Sequence, residues 1–385
     1  MEKTKRNKIL FMGTYPPRQC GIATFTQDLT TAVKERFNPK VAPKILAMNN
    51  EKINIKKYPK EVVFKINENN IQDYINIARK INENDSIKVV SIQHEFGIFG
   101  GKFLNYLSAF LENIKKPVVI TLHSVPPNPP DNIKSIIQYL SVKAAKIVVM
   151  AKKAVEILSE DYGIPKEKIA VIPHGIHEVP YEPSTIQKKK LGYEDRVLLV
   201  SFGLITGSKN YEDIINALPE VVRKFPHVLY LIVGATHPGI LKDEGEKYRN
   251  SLKRLIKKLN LENNVKFINR YLKLDELLQY LMAADIIISS GKSLHQITSG
   301  VLVYAMGCGR PFITIPFEHA REIVTPERGI LVELGNPESF KKAIIKLLSD
   351  KQLRESMGKN AYEFTRHMTW SSVAESYMKV FNEFM

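Results

Sequence analysis

The sequence predicts an α/β protein of two doubly wound, parallel-sheet domains in series. Three observations carry this. Its 385 residues are too many for one ordinary core, and with 44% hydrophobic residues they are apolar enough for two. Short apolar runs of β character alternate with helical patterns, the arrangement of parallel strands joined by right-handed crossovers. That alternation occurs twice, and a stretch rich in proline and charge, VPYEPSTIQKKKLGYEDR at 179–196, separates the two series as a linker.

The elements follow in order. KILFMG (8–13) is the first strand and precedes a helix from about Ala23 to Phe37. IKVVSIQHE (87–95) precedes a helix from about Lys102; PVVITLH (117–123), KIVVMA (146–151) and IAVIPHGI (169–176) complete the first series. The second opens with RVLLVSFG (196–203), a helix from Tyr211, VLYLIVG (228–234) and a long helix from about Glu244 to Leu259. VKFIN (265–269), a helix around Leu274 to Ala283, DIIISS (285–290) and RPFITI (310–315) continue it. The closing stretch carries Trp370, Val373, Tyr377 and Phe381 at helical spacing, a core stripe expected to pack back on the first domain. The expected domains are residues 1–178 and 179–368, with the helix 369–385 returning to the first.

Composition excludes several classes. No apolar run approaches the about 18 residues that cross a membrane, and the apolar stretch after the basic start is too short for a secretory signal. A cytoplasmic protein is expected. Cys20 and Cys308 offer neither a disulfide framework nor a thiolate cluster for zinc. The net charge of +16 attracts phosphate in principle, but its lysines are scattered and no nucleic-acid motif accompanies them. Nucleic acid is therefore not an expected partner; peripheral contact with an anionic membrane at the inner face stays open. The densest basic stretches, Lys188–Lys190 and Lys253–Lys258, read as linker and as the solvated face of an amphipathic helix.

Ligands of doubly wound sheets sit beyond the carboxyl ends of the strands, so chemistry is expected in the loops there. GTYPPRQCGIAT (13–24) follows the first strand: prolines stiffen it, Gly21 allows a tight turn, and the helix start offers unpaired amides to an anion or to sugar hydroxyls. Arg18 adds a planar cation. QHEFGIFGG (93–101) and TLHSVPP (121–127) put His94, Glu95 and His123 at neighbouring strand ends. FGLITGSKNYE (202–212) supplies Gly203 and Lys209 at a helix entrance; its spacing is not that of a Walker loop, yet the lysine suits a diphosphate.

These patterns, with IPHGI, GATHP (234–238), EGEKYR (244–249), QITSG (296–300) and MTWSSVAESYMKVF (368–381), resemble the retaining glycosyltransferases of family four over nearly the whole chain. The likeness is nearest to a bacterial and archaeal subgroup. It implies the GT-B fold, two Rossmann-like domains facing across a cleft, with a nucleotide diphosphate sugar on the C-terminal domain and the acceptor on the N-terminal one. It further implies transfer of a hexosyl unit with retention, by front-face attack, without nucleophile or metal, and closure of the domains around the region of Gly175. No Asp-x-Asp pair occurs in the sequence. GDP-mannose, or a UDP-sugar, would be the donor, and a sugar, glycan or lipid-linked molecule the acceptor; no cofactor is implied.

By motif position, Lys209 would bind the donor phosphates with Thr298, Ser299 and Gly300 at a helix start, and His123 would line the sugar end. Arg18, Gly21 and Thr24 belong to the loop covering the donor; Gly203 lies on the lysine's loop, and Gly234 and Arg270 fall where the base is held. Glu322, in HAREIV, matches a glutamate that faces the sugar. The sequence also departs from the family's pattern. Gln296 and Tyr304 stand where two glutamates are usual, Leu204 replaces an arginine, and Asn210 replaces a glycine. An active transferase with an altered donor pocket is the leading reading. A GT-B sugar phosphorylase and a catalytically silent glycan- or partner-binding relative remain the alternatives.

Overall fold

The computed structural model describes residues 7–50, 55, 57–101 and 105–385. The chain divides into two compact units: one runs to Gly175 and includes Gln296–Thr298 and Met368–Met385, the other holds Ile176–His295 and Ser299–His367.

In the first unit the strands are β1 (Asn7–Gly13), β2 (Val41–Asn49), β3 (Val62–Asn67), β4 (Ile87–His94), β5 (Val118–Leu122), β6 (Lys146–Val149) and β7 (Ile169–Val171). They pair in parallel in the order β3-β2-β1-β4-β5-β6-β7. Its helices are α1 (Gly21–Phe37), α2 (Ile71–Asn82), α3 (Asn105–Asn113), α4 (Asp131–Lys143) and α5 (Lys152–Glu160). Side chains alternate across the sheet, so Leu10, Met12, Val90 and Ile92 join one apolar cluster while Ile9, Phe11, Val89 and Val119 join the other. Ile297 is buried in the first cluster. The closing helix of the chain (Trp370–Asn382) sends Trp370, Val373, Tyr377 and Phe381 into the second, beside α1; Phe381 meets Phe11 edge-on at 5.8 Å, and the Tyr377 hydroxyl lies 2.9 Å from Thr121 Oγ1.

The second unit contains β8 (Val197–Phe202), β9 (Val228–Val233), β10 (Val265–Ile268), β11 (Ile286–Ser289), β12 (Phe312–Thr314) and β13 (Gly329–Leu331), in the order β10-β9-β8-β11-β12-β13. Its helices are α6 (Ser184–Leu191), α7 (Tyr211–Lys224), α8 (Pro238–Glu244), α9 (Lys247–Lys258), α10 (Leu274–Ala283), α11 (Gly300–Gly307), α12 (Glu318–Ile323), α13 (Pro337–Ser349) and α14 (Lys351–Phe364). In both sheets the order reverses beside the first strand of the series, which is where the following loops part and leave room for a ligand.

Two expectations are corrected, and two helix starts are placed more closely. The stretch read as a linker contains α6, and Lys188 is not solvated: it is buried and pairs with Asp285 at 2.5 Å. The helix expected from about Glu244 to Leu259 is α9, which begins at Lys247 because Gly245, at φ +62°, ends the preceding α8. Gly21 makes no tight turn; it is the first residue of α1, and a Cβ there would meet nothing within 4 Å. Thr298, Ser299 and Gly300 do lie at a helix start: Ser299 is the N-cap and Gly300 the first residue of α11. The expected start at Lys102 lies outside the described residues. The Lys253–Lys258 face is exposed except for Leu255 and Ile256.

Candidate active site

Each unit gathers chemistry at the carboxyl ends of its central strands. In the first, β5 ends at Leu122 and delivers His123, whose Nε2 lies 2.9 Å from Gln93 Oε1 on β4. Phe25 of α1 presses edge-on against the His123 ring at 4.7 Å and against His174 at 5.1 Å. Burial, with His174 and His94 nearby, pushes the His123 pKa down to about 3, so the imidazole is neutral near pH 7. His94, the last residue of β4, is fully buried; neither ring nitrogen has a hydrogen-bond partner, and burial lowers its pKa to about 3. Glu95 beside it accepts Ser124 Oγ–H at 2.7 Å and the Phe96 N–H at 2.8 Å, and burial raises its pKa.

The loop after β1 is anchored rather than open. Arg18 donates to Glu68 Oε2 at 2.9 Å, and these side chains are only 11% and 10% exposed. Glu68 also accepts from Asn50, so its carboxylate is held from two sides. The guanidinium that the sequence offers to a donor phosphate is thus already paired. Glu68 carries no sequence signal of its own, because it follows β3, a segment without the apolar run that marks the other strands. Thr24 stands half-buried on α1, and its N–H donates to Cys20 O at 3.2 Å.

In the second unit, the loops after β8 and β9 come into contact. Gly203 has φ +118° and Gly234 φ +143°, and a Cβ on Gly234 would lie 2.1 Å from the Gly203 carbonyl oxygen. Both glycines are required by the backbone itself. A Cβ on Gly203 would sit 3.9 Å from Val301 Cγ2, so the first turn of α11 stands beside them. Lys209 ends a short 3-10 turn on the same loop, half-buried, and desolvation lowers the pKa of its ammonium. The loop after β11 leans on that turn, with the Lys292 N–H donating to Ser208 O at 3.1 Å.

The remaining candidates are placed as follows. Ser299 caps α11 by accepting the Leu302 N–H at 3.2 Å, while its own N–H donates to His319 Nδ1 at 3.0 Å. That amide is therefore engaged within the chain, as are those of Leu302 and Val303, which leaves the amides of Gly300 and Val301 as the helix's anion donors. Gln296 is exposed and donates to Thr298 O at 2.8 Å; Thr298 Oγ1 is buried without a hydrogen-bond partner. Tyr304 is buried and its hydroxyl lies 3.2 Å from His177 Nε2. Arg270 is exposed and forms a two-pronged pair with Glu276, one prong at 2.6 Å. Glu322 is half-buried on α12. The structure brings together Gly203, Gly234, Lys209 and the α11 start, whereas the charges of Arg18 and Arg270 are committed elsewhere.

Comparison with known proteins fits this geometry. Residues 22–178 match the family model "Glycosyltransferase Family 4", and residues 183–364 match "Glycosyl transferases group 1". The protein is a glycosyltransferase of the GT-B fold. An uncharacterized glycosyltransferase of Methanocaldococcus jannaschii is 26% identical over 97% of both chains. A GDP-mannose-dependent phosphatidylinositol monomannoside mannosyltransferase of Corynebacterium glutamicum is 29% identical over 49% of each chain. Among solved structures, Anabaena HepE with UDP and glucose aligns with TM-score 0.73 and 16% identity over 98% of this chain and all of that one. Sucrose-phosphate synthase of Thermosynechococcus elongatus aligns with TM-score 0.76 and 14% identity, over 98% of this chain and 99% of its own. No helix of the transferase, among the described residues, is long and apolar enough to cross a membrane.

Proposed function

We propose that this glycosyltransferase moves a hexosyl unit, with mannosyl the first candidate, from a nucleotide diphosphate sugar to a sugar or glycan acceptor with retention of configuration. The observation that carries the reading is Lys209: a half-buried ammonium on the loop after β8, beside the Gly203–Gly234 contact and the first turn of α11. A partly desolvated cation next to helix amides is the counter-charge a departing diphosphate needs. In this reading it serves in place of a protein-held metal.

The reaction needs no enzyme nucleophile. The acceptor oxygen forms its bond to the anomeric carbon on the face from which the donor phosphate oxygen departs, and the acceptor proton passes to that phosphate. Lys209 and the α11 amides hold the negative charge that develops there. His123, neutral and oriented by Gln93, hydrogen-bonds sugar hydroxyls without adding charge. Glu322, Thr24 and Gly21 are assigned to the sugar and loop contacts, with residues 1–178 as acceptor domain and 179–368 as donor domain. We assign the chain to the bacterial and archaeal subgroup marked by YPPRQCGIATFT and QHEFGIFGG, a reading supported by the Methanocaldococcus relative. The nucleotide sugar is supported by the HepE complex and by the name of the Corynebacterium enzyme.

The test is titration with GDP, UDP and ADP and their sugars, on the protein and on Lys209→Ala, with and without EDTA. One diphosphate should bind, the Lys209 variant should bind it much more weakly, and EDTA should change nothing. Turnover with the matching sugar, and the anomer of the product by NMR, then decide retention. A second reading, ligand binding without turnover, draws on one observation: Tyr304 is engaged with His177 rather than open to a ligand. It predicts a binding isotherm with no transfer to any acceptor.

A further inference from the structure

Apart from Gly234, GATHP (234–238) and EGEKYR (244–249) have no part in the chemistry assigned above, yet they meet at the start of α9. Tyr248 stands beside the turn that carries Lys209. Its hydroxyl accepts the Tyr211 N–H at 3.2 Å and donates to Glu212 Oε2 at 2.6 Å, and its ring lies 4.0 Å from where a Cβ on Gly207 would sit. Tyr211 is the first residue of α7, a helix whose N-cap residue Asn210 makes no side-chain capping bond. The first orphan N–H of α7 is therefore met by a side chain from α9, and this fixes where the helix begins, two residues after Lys209.

Glu246 holds the neighbouring loop. It accepts the Thr236 hydroxyl through Oε2 and pairs through Oε1 with Arg249 at 2.7 Å. Arg249 is only 8% exposed, so the carboxylate cannot swing away without leaving a buried guanidinium unpaired. Thr236 follows Gly234, and its loop is joined to the lysine's loop by the Ile205 N–H to Ala235 O at 2.8 Å and the His237 N–H to Ile205 O at 3.1 Å. One helix start thus grips both loops that surround the donor candidates.

We propose that Glu246 and Tyr248 are positioning residues for the donor: they set the loops after β8 and β9, and through them the ammonium of Lys209. The inference rests on the donor reading given above. It is tested by a double-substitution cycle. Diphosphate affinity is measured by calorimetry with GDP, UDP and ADP for the unsubstituted protein, Tyr248→Phe, Lys209→Ala and the pair, and Glu246→Gln is run alongside. Tyr248→Phe keeps the ring against Gly207 and loses only the hydroxyl.

Affinity should fall about fivefold in the Lys209 background, the scale of one hydrogen bond, and should not fall further in the Lys209→Ala background. Hydrogen exchange in the peptide 204–212 should quicken while the melting temperature stays within about 2 °C. Glu246→Gln should weaken binding in the same direction. Equal losses in both backgrounds, or no loss in the first, would overturn the positioning role and leave the donor reading standing. If the unsubstituted protein binds none of the three diphosphates, the donor reading fails and this inference falls with it.

Discussion

Replacing Gly234 by alanine should destabilise the second unit far more than replacing Gly203, although both glycines hold positive φ. At Gly203 the added methyl would find Val301 Cγ2 at 3.9 Å, an ordinary contact, so only the backbone conformation at φ +118° is strained. That costs about 1–3 kcal/mol. At Gly234 the same strain, at φ +143°, is joined by a methyl placed 2.1 Å from the Gly203 oxygen and 2.9 Å from its carbonyl carbon. Neither backbone can withdraw freely: the Gly203 N–H donates to Val233 O and the Gly234 N–H to Ile268 O, each at 3.0 Å. The total should reach about 3–5 kcal/mol. The single tryptophan, Trp370, reports on the first unit, so the second is followed by far-UV circular dichroism in a guanidinium titration. Equal midpoint shifts for the two variants, or a larger one for Gly203→Ala, would refute the contact argument.

Three further outcomes follow from buried charge. Arg18→Ala and Glu68→Gln should each cost about 3–5 kcal/mol, because each strands a buried partner, while the double substitution Arg18→Met with Glu68→Leu should recover most of the loss; additive losses in a denaturation cycle would contradict this. His94 and His123 have folded pKa values of about 3, below their ordinary 6.5, so the unfolded chain binds protons that the folded chain refuses. Stability should then be level above about pH 6.5 and decline as pH falls toward 3, by about 2 kcal/mol per histidine at pH 5; His94→Leu should remove about half of that decline. Lys188→Met should destabilise by about 3 kcal/mol, since Asp285 keeps the Ser184 hydroxyl and the Leu198 N–H but loses its buried cation. A purely solvated Lys188 would give no measurable shift.

The architecture is legible in the sequence because its strands are buried on both faces. ILFM in β1 and VLYLIV in β9 read as continuous apolar runs between helical patterns, and the two series give two sheets. What escapes has a physical reason in each case. β2 carries Pro43 and Lys44 inside VAPKILAMN, and proline argues against an interior strand; β3 alternates exposure as VVFKIN and lacks an apolar run. α6 is hidden because three successive lysines dominate its pattern, although Asp285 buries one of them.

For the site, spacing identifies loops better than it identifies roles. A glycine in a motif can serve a ligand or its own backbone, and the letters are the same. Gly234 is demanded by the Gly203 carbonyl, whereas Gly21 faces open space and satisfies no visible need of the fold. The second kind therefore carries the stronger claim to an outside contact. Cations follow the same logic. Arg18 has Glu68 and Arg270 has Glu276, partners that sequence distance hides, whereas Lys209 sits half-desolvated on its turn. A charge kept partly out of water is expensive to hold, and a bound diphosphate would offset that cost. This makes Lys209, rather than the more conspicuous arginines, the residue on which the donor assignment stands.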